Sequence, residues 1–317
     1  MGRLKKDFFF IFKNMGFANA CKLVLYPRIC QKFGEKHAFN KAIDKFITNN
    51  FNNIVLKYSN TNLPNKTNIP NIIWVFWWQG KSSMPEVIRQ CYLSICRNSN
   101  GRNVFLLDKT NINKYINLPN IFLEKLQCGK IGLTHFSDII RVELLKKWGG
   151  LWIDAGIFVT KPIPLHQSLF FSPRLCIVPQ DTPHMNQWVI GVMEAPPNMP
   201  LFNYISDILN AYWKKFDAVF HYLMFDYLIR YGYEHFTWVK ELIKNRPIES
   251  PDLHFSRYTF NQEVNEKTFN KLIKDNTFLS LTYRISYPNK SKKGNNTYYS
   301  ALIKKNITKP TIFKQSK

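Results

Sequence analysis

The sharpest pattern along the chain is a helical spacing that runs straight into a short apolar strand. Phe136, Ile140 and Leu144 recur at i, i+4 and i+8, which predicts a helix over 134–148 with one apolar stripe. Lys146 and Lys147 fall in its last turn, where cations suit the negative end of the helix dipole. Gly149-Gly150 stops it, because glycine takes the left-handed C-cap conformation at little cost. Leu151-Trp152-Ile153 then predicts a strand ending on Asp154, and 157–160 continues extended until Pro162 and Pro164.

Upstream, Ile72-Ile73-Trp74-Val75-Phe76-Trp77-Trp78 is one apolar run between Pro70 and Gln79-Gly80. That is expected of a strand buried on both faces, as in a parallel sheet. A helix is predicted over 85–96, a second strand over 103–107 ending at Asp108, and short helices over 111–116 and 120–128. Further strands are expected at 175–179, 188–193 and 277–283. Helices are expected at 201–216, 219–231, 234–245 and 298–305. Strand and helix patterns alternate, so the expected class is α/β. Residues 60–71, rich in Asn, Thr and Pro, suggest a linker. The chain then divides into a basic, aromatic helical region at 1–60, a main domain at 69–283 and a basic tail at 284–317. No internal repeat is present.

Composition supports this reading. The chain has 317 residues, of which 45% are hydrophobic and 15% aromatic, enough for a sizeable core. The formal net charge of +23 calls for an anionic partner or a solvated basic surface. The surplus is concentrated at the ends. Arg3, Lys5, Lys6, Lys13, Lys22 and Arg28 lie near the start, and no acidic residue follows Asp275. Neither an RNA-binding aromatic motif nor zinc-finger spacing occurs, so no nucleic-acid partner is expected. Lys5 and Lys6 precede Phe8-Phe9-Phe10-Ile11-Phe12, which suits a helix lying on an anionic membrane; the plain alternative is a core-packing helix. The run is short for a signal peptide, and no stretch reaches the roughly 18 apolar residues that span a bilayer. The expected location is the cytoplasm, peripheral on the inner face of the cytoplasmic membrane. Cys21, Cys30, Cys91, Cys96, Cys128 and Cys176 form no CxxC pair and suit a reducing compartment.

The candidate chemistry lies between Ser137 and Lys161. Asp138 and Arg141 stand at i and i+3 on one helix face. Asp154 ends a strand, and ligands of open α/β sheets bind at the carboxyl ends of strands. A carboxylate there can hold Mg²⁺ or Mn²⁺ against a diphosphate, and a guanidinium can stabilise a departing one. On spacing alone, an intrahelical salt bridge and a turn cap explain the same residues.

The order of motifs adds to this. Ile69-Pro70-Asn71-Ile72-Ile73-Trp74 with Trp77-Trp78-Gln79-Gly80 is followed by Leu106-Leu107-Asp108. Then come His135-Phe136-Ser137-Asp138 with Arg141, and Gly149-Gly150-Leu151-Trp152-Ile153-Asp154-Ala155. Trp188 to Gly191, Pro200-Leu201-Phe202 and the stretch from Tyr222 to Tyr227 complete the set. This series resembles the capsular polysaccharide synthesis protein family, related to glycosyltransferase family 32 with its DXD sugar-binding region, over roughly 69–283.

The resemblance implies a GT-A nucleotide-diphospho-sugar transferase fold. It implies transfer of a hexose-type residue, with retention, from a nucleotide-sugar donor to a lipid-linked or nascent surface glycan. It matches Asp154 to the first Asp of the DXD motif and to a Mn²⁺ or Mg²⁺ ligand. It places Ser137, Asp138 and Arg141 on the donor-binding helix. Trp77, Trp78, Gln79, Asp108, His135, Gly149 and Gly150 are carried over as donor-site residues. Gly156 occupies the second acidic position, which weakens the metal assignment; His221 or Asp226 are the candidates to complete the site. Asp226 is also a candidate catalytic or acceptor-binding carboxylate, and Asp181 and His184 candidate loop residues over the acceptor. Strand alternation allows only one of Trp77 and Trp78 to meet a nucleotide. Competing readings are a transferase fold without turnover and a basic membrane- or nucleic-acid-binding protein. An Asp-nucleophile phosphatase would want an acid/base Asp where Gly156 stands.

Overall fold

The computed structural model describes residues 3–32, 37–64, 68–166, 168–175, 183, 186–244 and 249–307. Cys176, Asp181, His184, most of the expected strand at 175–179 and the tail beyond 307 lie outside the described residues.

In chain order the structure forms α1 (Arg3–Met15), α2 (Phe17–Ala20), a π-helical turn (Cys21–Leu25), α3 (Tyr26–Lys32) and α4 (Ala38–Ser59). Then come β1 (Ile72–Phe76), α5 (Glu86–Arg97), β2 (Asn103–Leu107), α6 (Asn120–Gln127), α7 (Leu133–Trp148), β3 (Gly150–Ile153) and β4 (Ile157–Val159). The remainder is β5 (Val192–Ala195), α8 (Pro200–Lys215), α9 (Met224–His235), α10 (Thr237–Lys244), α11 (Phe255–Thr259), α12 (Glu266–Asp275), β6 (Phe278–Ser280) and α13 (Tyr298–Ile307). The expected α/β class is what the structure shows.

These elements form two compact units, each built from separated stretches of chain. One unit comprises Met1–Asn65, Ile116–Lys147 and Asn198–Lys244, and its described elements are helical. Its packing is aromatic. Phe46 of α4 meets Tyr212, Phe216 and Phe220 with ring centroids 5.5–6.4 Å apart. Such tilted and edge-on pairs add to area burial. Polar tips are satisfied at the margins. Tyr58 Oη donates to Asp207 Oδ2 over 2.8 Å, and Trp238 Nε1 donates to the Tyr58 carbonyl over 2.7 Å.

The other unit comprises Lys66–Tyr115, Trp148–Pro197 and Asn245–Lys317. Its main sheet has the order β2-β1-β3-β5. β1 pairs in parallel with β2 and with β3, whereas β5 runs antiparallel to β3. Ile73 and Val75 of β1 and Leu151 and Ile153 of β3 enter one buried cluster with Ile88 and Ile95 of α5. Trp74 points the other way, its ring 5.2 Å from Phe105 and 5.4 Å from Tyr115. Because β1, β2 and β3 are parallel, their carboxyl ends share one edge.

Two expectations are corrected and one element is added. The strand expected at 188–193 is Val192–Ala195; the segment before it turns, with Ser172 Oγ accepting from the Val189 N–H over 2.8 Å. The helix expected at 219–231 starts at Met224, because His221 Nδ1 accepts the Leu223 N–H over 3.0 Å and holds that segment in a turn. Helix α12 was not expected. Its start is fixed by Asn265, whose side chain accepts from the Thr268 N–H over 3.0 Å. In the basic C-terminal stretch, Tyr298, Tyr299 and Leu302 of α13 pack with Phe260, Phe269 and Leu279.

Candidate functional site

The shared edge of β1, β2 and β3 carries the expected residues Trp77, Trp78, Gln79, Asp108 and Asp154. Each follows within three residues of the end of a strand. After β1, the Trp77 N–H donates to the Leu107 carbonyl over 2.9 Å, extending the pairing with β2. Gly80 turns the chain with φ +88° and donates to the Trp77 carbonyl over 2.9 Å. The strand period separates the two tryptophans. Trp77 packs against the cluster of Ile73 and Val75 and meets Tyr283 edge-on at 5.7 Å. Trp78 lies 6.3 Å from Phe76. The Trp77 Nε1 donor is buried and has no hydrogen-bond partner among the described residues. Gln79 is exposed.

Asp108, at the end of β2, uses one oxygen locally. Its Oδ1 accepts from the Thr110 N–H at 2.8 Å and from Thr110 Oγ1 at 2.6 Å. Those hydrogen bonds, the hydroxyl's first, hold the carboxyl below its ordinary pKa. Its Oδ2 lies 3.5 Å from where a Gly80 Cβ would stand.

Gly149 and Gly150 start β3 at φ +65° and +90°. A Cβ on Gly149 would fall 2.5 Å from the Pro197 nitrogen, and one on Gly150 2.9 Å from the Ile72 carbonyl. Trp74 Nε1 donates to the Gly149 carbonyl over 2.8 Å. The doublet is therefore closed in by protein backbone on both sides, and this packing alone demands glycine.

Asp154 ends β3 on the face of Trp152, two residues back. Trp152 Nε1 donates to Asp154 Oδ1 over 2.6 Å. The Asp154 N–H donates to the Gly191 carbonyl over 2.8 Å, and its own carbonyl accepts from Ile157 over 2.9 Å. Gly191 also clears the space for the carboxylate: a Cβ there would stand 2.9 Å from Asp154 Oδ2. Sequence reasoning did not single out Trp152 or Gly191 for this task. The signal for Trp152 was available, since i and i+2 share a strand face.

The Gly156 position has a backbone explanation. A Cβ there would meet the Leu281 carbonyl oxygen at 2.8 Å, and the Leu281 N–H donates to the Gly156 carbonyl over 2.8 Å. A side chain at this place would collide with the backbone that follows β6.

The helical unit holds the remaining expected residues. Asp138 and Arg141 are buried on α7, with Arg141 Nη1 donating to Asp138 Oδ1 over 2.8 Å. His135 Nδ1 stands 3.6 Å from Asp138 Oδ2, and its ring meets the exposed Tyr222 edge-on at 5.8 Å. The Arg141 guanidinium lies over the Phe225 ring at 5.3 Å. Asp226 is buried in the first turn of α9, where the helix dipole favours a carboxylate. Ser137 is half-buried. Among the described residues, no three His, Cys, Asp or Glu side chains gather as a metal site. Asp154 offers a single carboxylate, one of whose oxygens is already hydrogen-bonded to Trp152.

A family model described as capsular polysaccharide synthesis protein matches residues 26–302. The chain belongs to that family. Among curated proteins, this capsular polysaccharide synthesis family member is 30% identical over 100 residues to the O-glycosyltransferase braB of Annulohypoxylon truncatum, covering 29% of this chain and 24% of the relative. It is 28% identical over 153 residues to an uncharacterized glycosyltransferase of Acanthamoeba polyphaga mimivirus, covering 47% of this chain and 58% of the relative. The chain thus spans less than two thirds of the length of these relatives. Among solved structures, the PaToxG glycosyltransferase is 17% identical with a TM-score of 0.39, covering 66% of this chain and 83% of that one. The bifunctional glycosyltransferase WbbM is 10% identical with a TM-score of 0.41, covering 79% and 51%.

Proposed function

We propose that the chain is a glycosyltransferase of the GT-A type that moves a sugar from a nucleoside diphosphate donor to a growing capsular or other surface glycan. One observation carries the reading. Three parallel strands end at a common sheet edge in Trp77–Gln79, Asp108 and Asp154, and the Asp154 carboxylate is held by the Trp152 indole N–H in space that Gly191 leaves open. Open α/β sheets take their ligands at this edge. Family membership and the names of the relatives point the same way.

In the proposed reaction the bond between the anomeric carbon and the diphosphate oxygen breaks. The acceptor hydroxyl oxygen forms the new bond to that carbon and gives up its proton. The nucleoside diphosphate leaves with an added negative charge, so positive groups near it lower the barrier. Arg141 is the candidate for this charge stabilisation, directly or through its pairing with Asp138, and Asp226 is the candidate catalytic or acceptor-binding carboxylate. The resemblance to glycosyltransferase family 32 supports retention of configuration, and the sugar moved is proposed to be of hexose type. The described residues do not fit a dedicated all-protein metal cage.

Calorimetric titration with UDP, GDP, CDP, ADP and dTDP, with and without Mn²⁺ or Mg²⁺, tests the donor site. The expected result is saturable binding of one nucleotide, weakened at least ~tenfold in Asp154→Asn. A folded protein that binds none of the five would overturn the assignment.

A further inference from the structure

We propose that the outer face of α1 and the chain that follows it is a docking surface for an anionic lipid bilayer. Phe9, Phe10, Phe12 and Phe17 expose 52%, 51%, 44% and 63% of their surface. Phe9, Phe12 and Phe17 are joined through Phe8, and Phe10 lies beside Phe9 in the chain. Phe12 and Phe17 meet edge-on at 6.1 Å, and Phe8 touches Phe9, Phe12 and Phe17 at 6.1–6.4 Å. A contiguous exposed aromatic patch is costly in water and marks an interaction site.

The opposite side of α1 is already used. Ile11 and Met15 are buried, and Met15 Sδ lies 3.6 Å from Tyr212 Oη of α8. The helix is therefore anchored by one stripe, and its aromatic side is left facing outward. Both an ordinary packing role and a surface role are visible on one helix, each on its own face.

Charge identifies the occupant. Lys5, Lys6 and Lys13 are exposed on the helix that carries the phenylalanines, and Lys22 and Arg28 are exposed on the segments that follow it. Lys5 and Phe9, and Phe9 and Lys13, are four residues apart, so cations and rings alternate on one helix face. Residues 1–32 contain seven Lys and Arg and a single acidic residue, Asp7, which sits 3.5 Å from Arg28. An apolar protein partner would not need this ring of cations, and a nucleic acid would not need four outward phenylalanines. An anionic leaflet uses both: rings enter the headgroup boundary while lysine stems lie along it and their ammonium groups meet lipid phosphate. Each basic group near such a surface strengthens binding roughly fivefold. Among the described residues no helix is long and apolar enough to cross a membrane, so the contact is one of lying on the surface.

The test is flotation of the full chain with vesicles of phosphatidylcholine alone and of phosphatidylcholine with phosphatidylglycerol. Binding is expected only with the anionic vesicles, falling at least ~tenfold in high salt. Phe9→Ser with Phe10→Ser, and separately Lys5→Glu with Lys6→Glu, should each weaken it ~tenfold or more while circular dichroism and nucleotide titration stay unchanged. Equal binding to both vesicle types, no binding by folded protein, or full binding by both double variants would overturn the proposal. So would a dimer in sedimentation velocity that the phenylalanine variant abolishes, because the patch would then belong to a second copy. The nucleotide titration is read separately, so failure here leaves the transferase reading standing, and the reverse holds too.

Discussion

The Trp152 indole N–H holds the Asp154 carboxylate from two residues back on the same strand face, at 2.6 Å. A strand of period two places them side by side, and burial of Trp152 in the sheet leaves the indole no freedom to swing away. Trp152→Phe keeps an aromatic ring but removes the donor. Loss of a hydrogen bond to a charged acceptor is worth ~1.5–3 kcal/mol, so nucleotide affinity should fall ~tenfold or more. Calorimetry checks this against thermal unfolding. A variant with lowered Tm and unchanged affinity would show that Trp152 serves the core alone.

Gly191 acts on the same carboxylate by leaving space. An added Cβ would stand 2.9 Å from Asp154 Oδ2, closer than real Cβ contacts come. Gly191→Ala should therefore push the carboxylate out of place and weaken nucleotide binding to a degree comparable with Trp152→Phe. Because both variants disturb one group, their effects should be less than additive in a double-mutant cycle. Full additivity would mean that Gly191 acts elsewhere.

Much of this sheet edge was legible in the sequence, for physical reasons. The apolar run after Pro70 has no charge to permit exposure, so a doubly buried strand was the economical reading, and β1 follows it. The helix before Gly149-Gly150 was fixed by periodicity and by a stop that only glycine fits. Other parts were not legible. Helix α12 buries only Phe269, Leu272 and Ile273 in a charged segment, too weak a stripe to stand out beside its lysines. The union of α4, α8 and α9 in one unit depends on aromatic contacts between stretches far apart in sequence. The same holds at Gly156. Sequence reads a missing acid there, whereas the structure reads a place taken by the Leu281 carbonyl.

That finding gives a prediction that a motif reading would not. Gly156→Asp restores the DXD pattern on paper. Its Cβ would press into a backbone oxygen at 2.8 Å and into the hydrogen bond between Leu281 and Gly156. The expected outcome is destabilisation of ~1–3 kcal/mol, as for overpacking elsewhere, with no gain in Mn²⁺ affinity. Thermal unfolding with and without Mn²⁺ measures both.

Acid should loosen the turn after β2. The Asp108 carboxyl is held below its ordinary pKa by the Thr110 hydroxyl and by backbone N–H groups, so its charged form is favoured by folding. A depressed folded-state value gives stability that is present above the unfolded pKa and lost as pH falls through the folded one. The window therefore lies below the ordinary aspartate value of about 3.9. Asp108→Asn should lower stability at neutral pH and flatten the acid limb of the stability curve, the two proteins converging in acid, as urea titrations at a series of pH values would report.

Glu194 on β5 is a buried, doubly paired charge in the sheet unit. Its Oε1 is 2.7 Å from Arg102 Nη2 and its Oε2 is 2.7 Å from His166 Nδ1, with all three side chains almost fully buried. The Arg102 Nε and Nη1 groups have no hydrogen-bond partner among the described residues, so Glu194 is the carboxylate that compensates this guanidinium. Removing one member of a buried pair strands the other charge and costs about 3–5 kcal/mol. Glu194→Gln should thus unfold at much lower denaturant, whereas Lys57→Met, which breaks the exposed pair with Asp207, should shift stability by less than ~1 kcal/mol. Arg102→Met combined with Glu194→Leu should recover much of the loss, since neither charge then remains to be desolvated. Failure of the double variant to recover would mean that the cluster matters through the geometry of β5 and the stacking of His166 on Phe171 at 3.6 Å, not through charge.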